Sequence, residues 1–305
     1  MPMKKNAFML CFSLMLIGCT IFQPYKQTIF ITSSDGIFTH SYFIDLYGHK
    51  SKSWLPSSIN EISFSSDGNW IAYSHSFDSK TEDSEIFIAS NDGKRIFQIT
   101  NTKYGAFDPV WSPDGKKIAF YSSDDSEIDI LDMTCLIVNR QNCNFPTLFL
   151  TNGKPKIAWS PDGSKIVFEQ DNHHIISSEV NGSDRTDLTD KIPYDCYRPD
   201  WSQDGKRISF DCYTRNGLDI FVVNSDGLNP INLTQGLGTN TLPTWTSDSS
   251  KLIYIGSDID GLGKSIGLTD TIFSNALFSI DLYGNRKRLT FGTESIYQFS
   301  LTNRP

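Results

Sequence analysis

The sequence predicts an all-β fold, a six-bladed β-propeller of four-stranded antiparallel blades, on three observations. A pentapeptide recurs: Phe64-Ser-Ser-Asp67-Gly68, Trp111-Ser-Pro-Asp114-Gly115, Trp159-Ser-Pro-Asp162-Gly163, Trp201-Ser-Gln-Asp204-Gly205 and, degraded, Trp245-Thr-Ser-Asp248-Ser249. Its aromatic positions lie 47, 48, 42 and 44 residues apart, and a period of roughly 40–50 residues marks a solenoid or propeller. Short β-branched and aromatic runs follow each copy, while no helical periodicity appears after residue 20.

The first 18 residues read as an export signal: Lys4 and Lys5, an apolar run from Ala7 to Ile17, then a small residue. The run is 11 residues long, short of the ~20 that a membrane-spanning helix needs. Leu16-Ile17-Gly18-Cys19 resembles the lipobox of bacterial lipoproteins, and that resemblance makes Cys19 the lipid attachment site. Two or more acyl chains, at about 0.8 kcal/mol per buried methylene, would hold the chain on a membrane surface. The expected organisation is thus 1–18 signal peptide, 19–27 lipidated tether and 28–305 propeller, in the cell envelope, facing the periplasm or on the outer leaflet of the cytoplasmic membrane.

Each repeat begins with a strand that ends in the pentapeptide aromatic and a tight turn whose Gly accepts positive φ. A second run follows, as in Trp70-Ile-Ala-Tyr73, Ile118-Ala-Phe120, Ile166-Val-Phe168, Ile208-Ser-Phe210 and Leu252-Ile-Tyr254. A variable loop leads to a third strand, seen at Ile86–Ile88, Ile220–Val223 and Leu277–Ile280. A turn at Gly93, Gly227 or Gly284 opens the fourth, often closed by Leu-Thr as at Leu188-Thr189, Leu233-Thr234 and Leu289-Thr290. Four antiparallel strands make one blade. Thr28 to Leu55 supplies three strands with no pentapeptide before them, and Phe299-Ser-Leu-Thr302-Asn303 mimics a pentapeptide with nothing after it. Joining these fragments gives the sixth blade and closes the ring, which removes exposed sheet edges.

The unit Trp-Ser-Pro-Asp-Gly-Lys-x-Ile-Ala-Phe, best seen from Trp111 to Phe120, resembles the TolB-like propeller repeats over about residues 28 to 305. TolB also carries an α/β domain ahead of its propeller, for which the eight or so residues after Cys19 leave no room, so a Tol-type role does not follow from the resemblance. The repeats also occur in propellers attached to peptidases, yet no hydrolase domain is expected after the propeller, and the one Gly-x-Ser-x-Gly match, Gly263-Lys-Ser265-Ile-Gly267, lies in a long loop with no helix to follow.

Four cysteines remain beyond Cys11 and Cys19, an even number that suggests disulfides in an exported chain. Treating Gln203-Asp204-Gly205 as a three-residue hairpin loop makes paired residues sum to 408, which sets Cys196 opposite Cys212. Such cross-strand pairs have Cβ separations close to what a disulfide uses. Cys135 and Cys143 flank a less regular turn and form a second candidate pair.

Function is sought on the face that carries the loops between second and third strands and between blades, since these vary most in length. Tyr104, Phe107 and Asp108 precede one inner strand there, and Tyr194, Asp195, Tyr197, Arg198 and Asp200 precede another. Aromatics with Arg are typical interface anchors. The pentapeptide aspartates need no role beyond their turns. Gly263-Lys-Ser265 lacks the first Gly of a phosphate loop, Asp258-Ile-Asp260-Gly261 lacks the closing carboxylate of a calcium loop, and Asp171, His173 and His174 read as a solvated loop.

With 27 Lys+Arg against 35 Asp+Glu, a net charge of −8, and no basic run longer than the three residues Arg286-Lys-Arg288, nucleic acid is not an expected partner. The reading is a monomeric, non-enzymatic binding module for a protein or cell-wall-associated partner, without cofactor, metal or catalytic residue. The alternatives are an envelope polysaccharide lyase or hydrolase, or a glycan or small-ligand binder, working through the central channel.

Overall fold

In the computed structural model the described residues are 28–34, 39–45, 50–52, 55, 59–76, 84–133, 147–150, 155–170, 172–257, 275–290 and 295–301. The signal, Cys19, Cys135, Cys143, Asp171 and most of the 256–275 loop lie outside them. The described strands form six four-stranded antiparallel sheets, and the fold is a β-propeller.

The first sheet holds β1 (Thr28–Ser34), β2 (Thr39–Asp45) and β3 (Lys50–Lys52), with the last strand of the chain, β24 (Ser295–Leu301), paired antiparallel to β1. The second holds β4 (Ile59–Phe64), β5 (Trp70–Ser76), β6 (Ser84–Ser90) and β7 (Ile96–Gln98). The third holds β8 (Ala106–Trp111), β9 (Lys117–Ser122), β10 (Glu127–Asp132) and β11 (Thr147–Leu150). The fourth is β12 (Ile157–Trp159), β13 (Lys165–Glu169), β14 (Ile175–Glu179) and β15 (Thr186–Asp187). The fifth is β16 (Cys196–Trp201), β17 (Arg207–Thr214), β18 (Gly217–Asn224) and β19 (Ile231–Asn232). The sixth is β20 (Asn240–Trp245), β21 (Lys251–Ser257), β22 (Asn275–Asp281) and β23 (Arg286–Arg288).

Six buried clusters glue neighbouring sheets. Ile86 and Ile88 meet Trp111 and Ile118 between the second and third, for example. Ile220 and Val222 meet Trp245 and Tyr254 between the fifth and sixth. Ile253 and Leu277 meet Ile31, Ile296 and Phe299, which joins the sixth to the sheet that contains both first and last strands. Sheets packed face to face in this way expose mostly their outer strands, so the middle strands β9, β17 and β21 are almost wholly buried.

The pentapeptide is a hydrogen-bonded turn. Its Ser or Thr hydroxyl donates to the Asp two residues on, over 2.6–2.7 Å in all five copies. The same hydroxyl accepts the N–H of the first residue after the turn. Gly68, Gly115, Gly163 and Gly205 take φ of 68–72°. In the degraded copy Ser249 takes φ 55°, a costly choice for a residue with a side chain, but its hydroxyl accepts the N–H of Asp204 in the neighbouring sheet at 3.0 Å. The Leu-Thr ending is explained likewise: Thr100, Thr189, Thr234 and Thr290 each accept the N–H of a residue at the start of the third strand.

These turns make stability acid-sensitive. In Asp162 and Asp248 the Ser160 and Thr246 hydroxyls hold the carboxyl below its ordinary value. In Asp67, Asp114 and Asp204 partial burial opposes the shift, and the turn hydrogen bonds outweigh it. A depressed folded pKa stabilises above the unfolded value, about 3.9 for Asp, and that contribution is lost as pH falls through the folded value. The turns' contribution to the urea midpoint is therefore expected to be constant above about pH 5 and to fall progressively below about pH 4. Replacing Asp114 and Asp162 with Asn should flatten that fall.

Candidate functional site

The inner strands β4, β8, β12, β16, β20 and β24 converge on the axis, and consecutive residues from all six line one central cavity of about 170 Å³. Counting three residues back from each pentapeptide aromatic gives Glu61, Asp108, Lys156, Arg198 and Leu242. Four of these five are charged, and they stand at one level of the channel, toward the variable-loop face. The ladder slips there: bulges interrupt pairing of β4, β8, β16 and β20 with their neighbours. Asp108, Arg198 and Leu242 take φ of 52°, 54° and 56°, each followed by a proline that has no N–H to lose. Non-glycine residues in this region store strain, which concentrates at working sites.

These side chains tie each sheet to the next. Lys156 pairs with Asp108, whose other oxygen accepts the N–H of Ile157 at 3.2 Å. Burial pushes the Asp108 carboxyl up, with Lys156 pulling it back and Glu61 adding to the rise. Burial works against charge on Lys156, but Asp108 and Glu61 keep its ammonium above the ordinary value. Arg198 donates from Nε and Nη2 to Asp211, each at 2.8 Å. Asp211 is fully buried and also accepts Thr241 Oγ1 at 2.8 Å and Leu242 N–H at 2.9 Å from the sixth sheet. Asp200 accepts the N–H of Trp245 at 2.8 Å, as Ser63 accepts that of Trp111 at 3.1 Å.

Outside the channel mouth lies an aromatic ridge. The Arg198 guanidinium sits 5.5 Å from the Tyr197 ring centre, and Tyr197 meets His173 at 4.9 Å and Tyr213 edge-on at 5.7 Å. His173 Nδ1 approaches Glu169 at 3.2 Å. Burial pushes the Glu169 carboxyl up, with His173 pulling the other way. Tyr213 and Tyr104 are 55% and 53% exposed. Lys103 and Tyr104 donate their N–H groups to Asp124, whose carboxylate thereby holds this loop.

The eight expected face residues therefore divide. Tyr104 and Asp195 are exposed, while Tyr194 is half-buried against Phe221. Tyr197 and Arg198 stand at the channel mouth. Phe107 is packed into the protein, and Asp108 and Asp200 are buried carboxylates of the channel. Glu61, Lys156, Glu169, Asp211 and Tyr213 complete the arrangement. The first two were detectable by their fixed offset from the pentapeptide aromatics; no spacing pointed to the others.

Cys196 and Cys212 form a disulfide across β16 and β17, directly opposite in register. The loop-length premise needs correcting. Ser202 bonds Arg207 across a four-residue loop and residues near the turn sum to 409; the bulge at Arg198-Pro199 then restores 408. The bond fits an exported chain. The Cys135–Cys143 pairing and the Cys19 attachment fall outside the described residues. Among the described residues no group of three or more His, Cys, Asp or Glu could hold a metal ion.

A channel-centred β-propeller with a charged mouth is the class that this geometry defines. No family model matches the sequence. Dipeptidyl-peptidase 5 of Porphyromonas gingivalis is 24% identical over 67% of this chain and 38% of its own length, so this chain spans well under half of that relative. Among solved structures, TolB from Acinetobacter baumannii matches with a TM-score of 0.70 at 18% identity, over 90% of this chain and 66% of that one. A chain of a nidogen/laminin complex matches with a TM-score of 0.64 at 13% identity, over 90% and 98%. Identities this low speak for the propeller fold and leave activity to the site.

Proposed function

We propose that this chain is an exported, lipid-anchored envelope protein whose six sheets are the blades of one ring closed by β24, and that it binds a protein partner through its variable-loop face without catalysis. The observation that carries this reading is the state of the channel mouth. Its bases are committed to its acids, Lys156 to Asp108 and Arg198 to Asp211. The cavity, about 170 Å³, is smaller than the roughly 300–1,000 Å³ usual for small-molecule sites. Around it Tyr104, Tyr197 and Tyr213 present aromatic surface of the type that anchors protein interfaces. The nidogen/laminin neighbour is a propeller found in a protein complex, which supports the same mode.

A photocrosslinking side chain at position 104 or 213 in intact cells should give a discrete adduct. Position 283, 92% exposed on the opposite, pentapeptide face, should give none. Equal labelling at all three positions would overturn the reading.

The second reading is an envelope enzyme working at the channel. It is favoured by a buried Asp108 carboxyl raised beside an ammonium, a pattern common at catalytic sites, and by the similarity to a peptidase. A turnover activity abolished by Asp108→Asn, with the fold retained, would favour it.

A further inference from the structure

We propose that the groove between the second and third sheets, on the outer rim, docks an extended segment of a partner protein that carries apolar side chains and a carboxylate, added along β7. This site lies away from the variable-loop face and does not depend on it.

β7 is the terminal strand of its sheet, with β6 as its one neighbour. Ile96 and Phe97 are 50% and 40% exposed. Beside them opens a groove of about 920 Å³, with Trp70, Ile88 and Ile99 on one side and Trp111 and Met133 on the other. That volume is in the range of occupied binding sites. Outer strand β23 guards its edge with charge, Arg286-Lys287-Arg288, which is how proteins block strand addition; β11 and β19 carry no charge, and what sets β7 apart from them is the groove beside it. β7 reads Ile-Phe-Gln and has no such guard.

The choice of occupant rests on charge. Arg95, immediately before β7, lies 4.7 Å over the Trp70 ring, and Trp70 meets Phe97 at 6.4 Å. Among the described residues Arg95 has no carboxylate partner, whereas its neighbours Lys94 and Lys116 are paired with Asp92 and Asp114. A segment lying along β7 would place apolar side chains on Phe97 and Trp70 and bring its carboxylate to the Arg95 guanidinium. The backbone bonds supply sequence-tolerant affinity and the groove supplies selectivity.

The test uses the folded mature chain and two synthetic hexapeptides, Asp-Ile-Thr-Phe-Thr-Val and its Lys-Ile-Thr-Phe-Thr-Val counterpart, with binding read by anisotropy and mapped by amide chemical shifts. The acidic peptide should bind about tenfold tighter, the worth of one charge-assisted bond, and perturb residues 95–99. Arg95→Gln should erase most of that preference while leaving the weaker peptide unchanged, and Ile96→Lys should abolish both. Melting curves identify any variant that has lost its fold. Equal binding of the two peptides, indifference to Arg95→Gln, or shifts mapping to the variable-loop face would overturn the proposal. So would self-association in sedimentation that Ile96→Lys abolishes, since it would assign the groove to a second copy. Crosslinking at position 213 should be untouched by Ile96→Lys, which separates failure here from failure of the proposed function.

Discussion

Replacing Arg198 with Met is expected to destabilise the protein by about 3 kcal/mol at pH 7, because it leaves the Asp211 carboxylate buried without its cation. Asp211 is fully buried and loses two of its four described donors, keeping Thr241 Oγ1 and Leu242 N–H. The figure sits at the low end for breaking a buried pair, since the Arg198 side chain is 29% exposed. Protonation offers Asp211 an escape. Burial already raises its carboxyl, with Arg198 the main opposing influence, so removing Arg198 raises it further. A folded pKa above the unfolded value means that the variant binds a proton on folding, so its deficit shrinks as pH falls toward about 5 and grows as pH rises through the folded pKa. Urea melts of the variant and parent at pH 5 and pH 7 measure this, and a deficit that does not depend on pH would refute it. Converting Asp211 to Leu in the same variant should recover most of the loss. Recovery stays incomplete, because Thr241 and the Leu242 amide are left without their acceptor.

The same position does comparable work in neighbouring sheets. Three residues before the pentapeptide aromatic, Asp108 reaches across to Lys156 and the Ile157 amide, while Arg198 holds Asp211, which reaches across to the Leu242 amide. Polar bonds across the seams fix how one sheet sits on the next, which apolar clusters alone specify loosely. Their energetic role and the proposed recognition role are compatible, since a rigid, charged mouth presents Tyr197 and Tyr213 without loss of conformational freedom on binding.

Much of this was legible in the sequence because it is local. The pentapeptide spells out a turn whose hydrogen bonds span five residues, and the Leu-Thr ending spells out a cap on a strand about 14 residues away. What escaped was long-range. Asp211 sits in a buried strand, reads as an alternate polar position of Ile208-Ser-Phe210, and becomes important only through Arg198 on one side and Thr241, 30 residues on, on the other. Phe107 and Asp200 looked like face residues because they flank a variable loop; the inner-strand bulge turns the channel-side residues inward, and bulges leave no clear mark in one sequence. The groove beside β7 escaped for a different reason, that an outer strand of three residues carries too little pattern to be read as an edge.

The Cys196–Cys212 bond, whose register combines a four-residue loop with a one-residue bulge, gives the second large expected effect. It closes a segment with a sequence separation of 16, and cross-linking a loop of that size stabilises by about 3 kcal/mol, chiefly by restricting the unfolded chain. The double variant Cys196→Ala/Cys212→Ala should therefore unfold at a lower urea concentration by the equivalent of about 3 kcal/mol. Both cysteines are fully buried in the cluster between the fourth and fifth sheets, so repacking at two Ala positions adds to the loss. The next pair in register is Tyr197 opposite Asp211, so the bond secures the strand ends that carry the channel mouth. Reduction without substitution separates the two contributions: a reducing agent removes the cross-link and leaves the side-chain volume. The parent with reductant should fall between the oxidised parent and the double variant. A reduced parent as stable as the oxidised one would show that the β16–β17 hairpin holds its own register, through the Arg198–Asp211 pair rather than the disulfide.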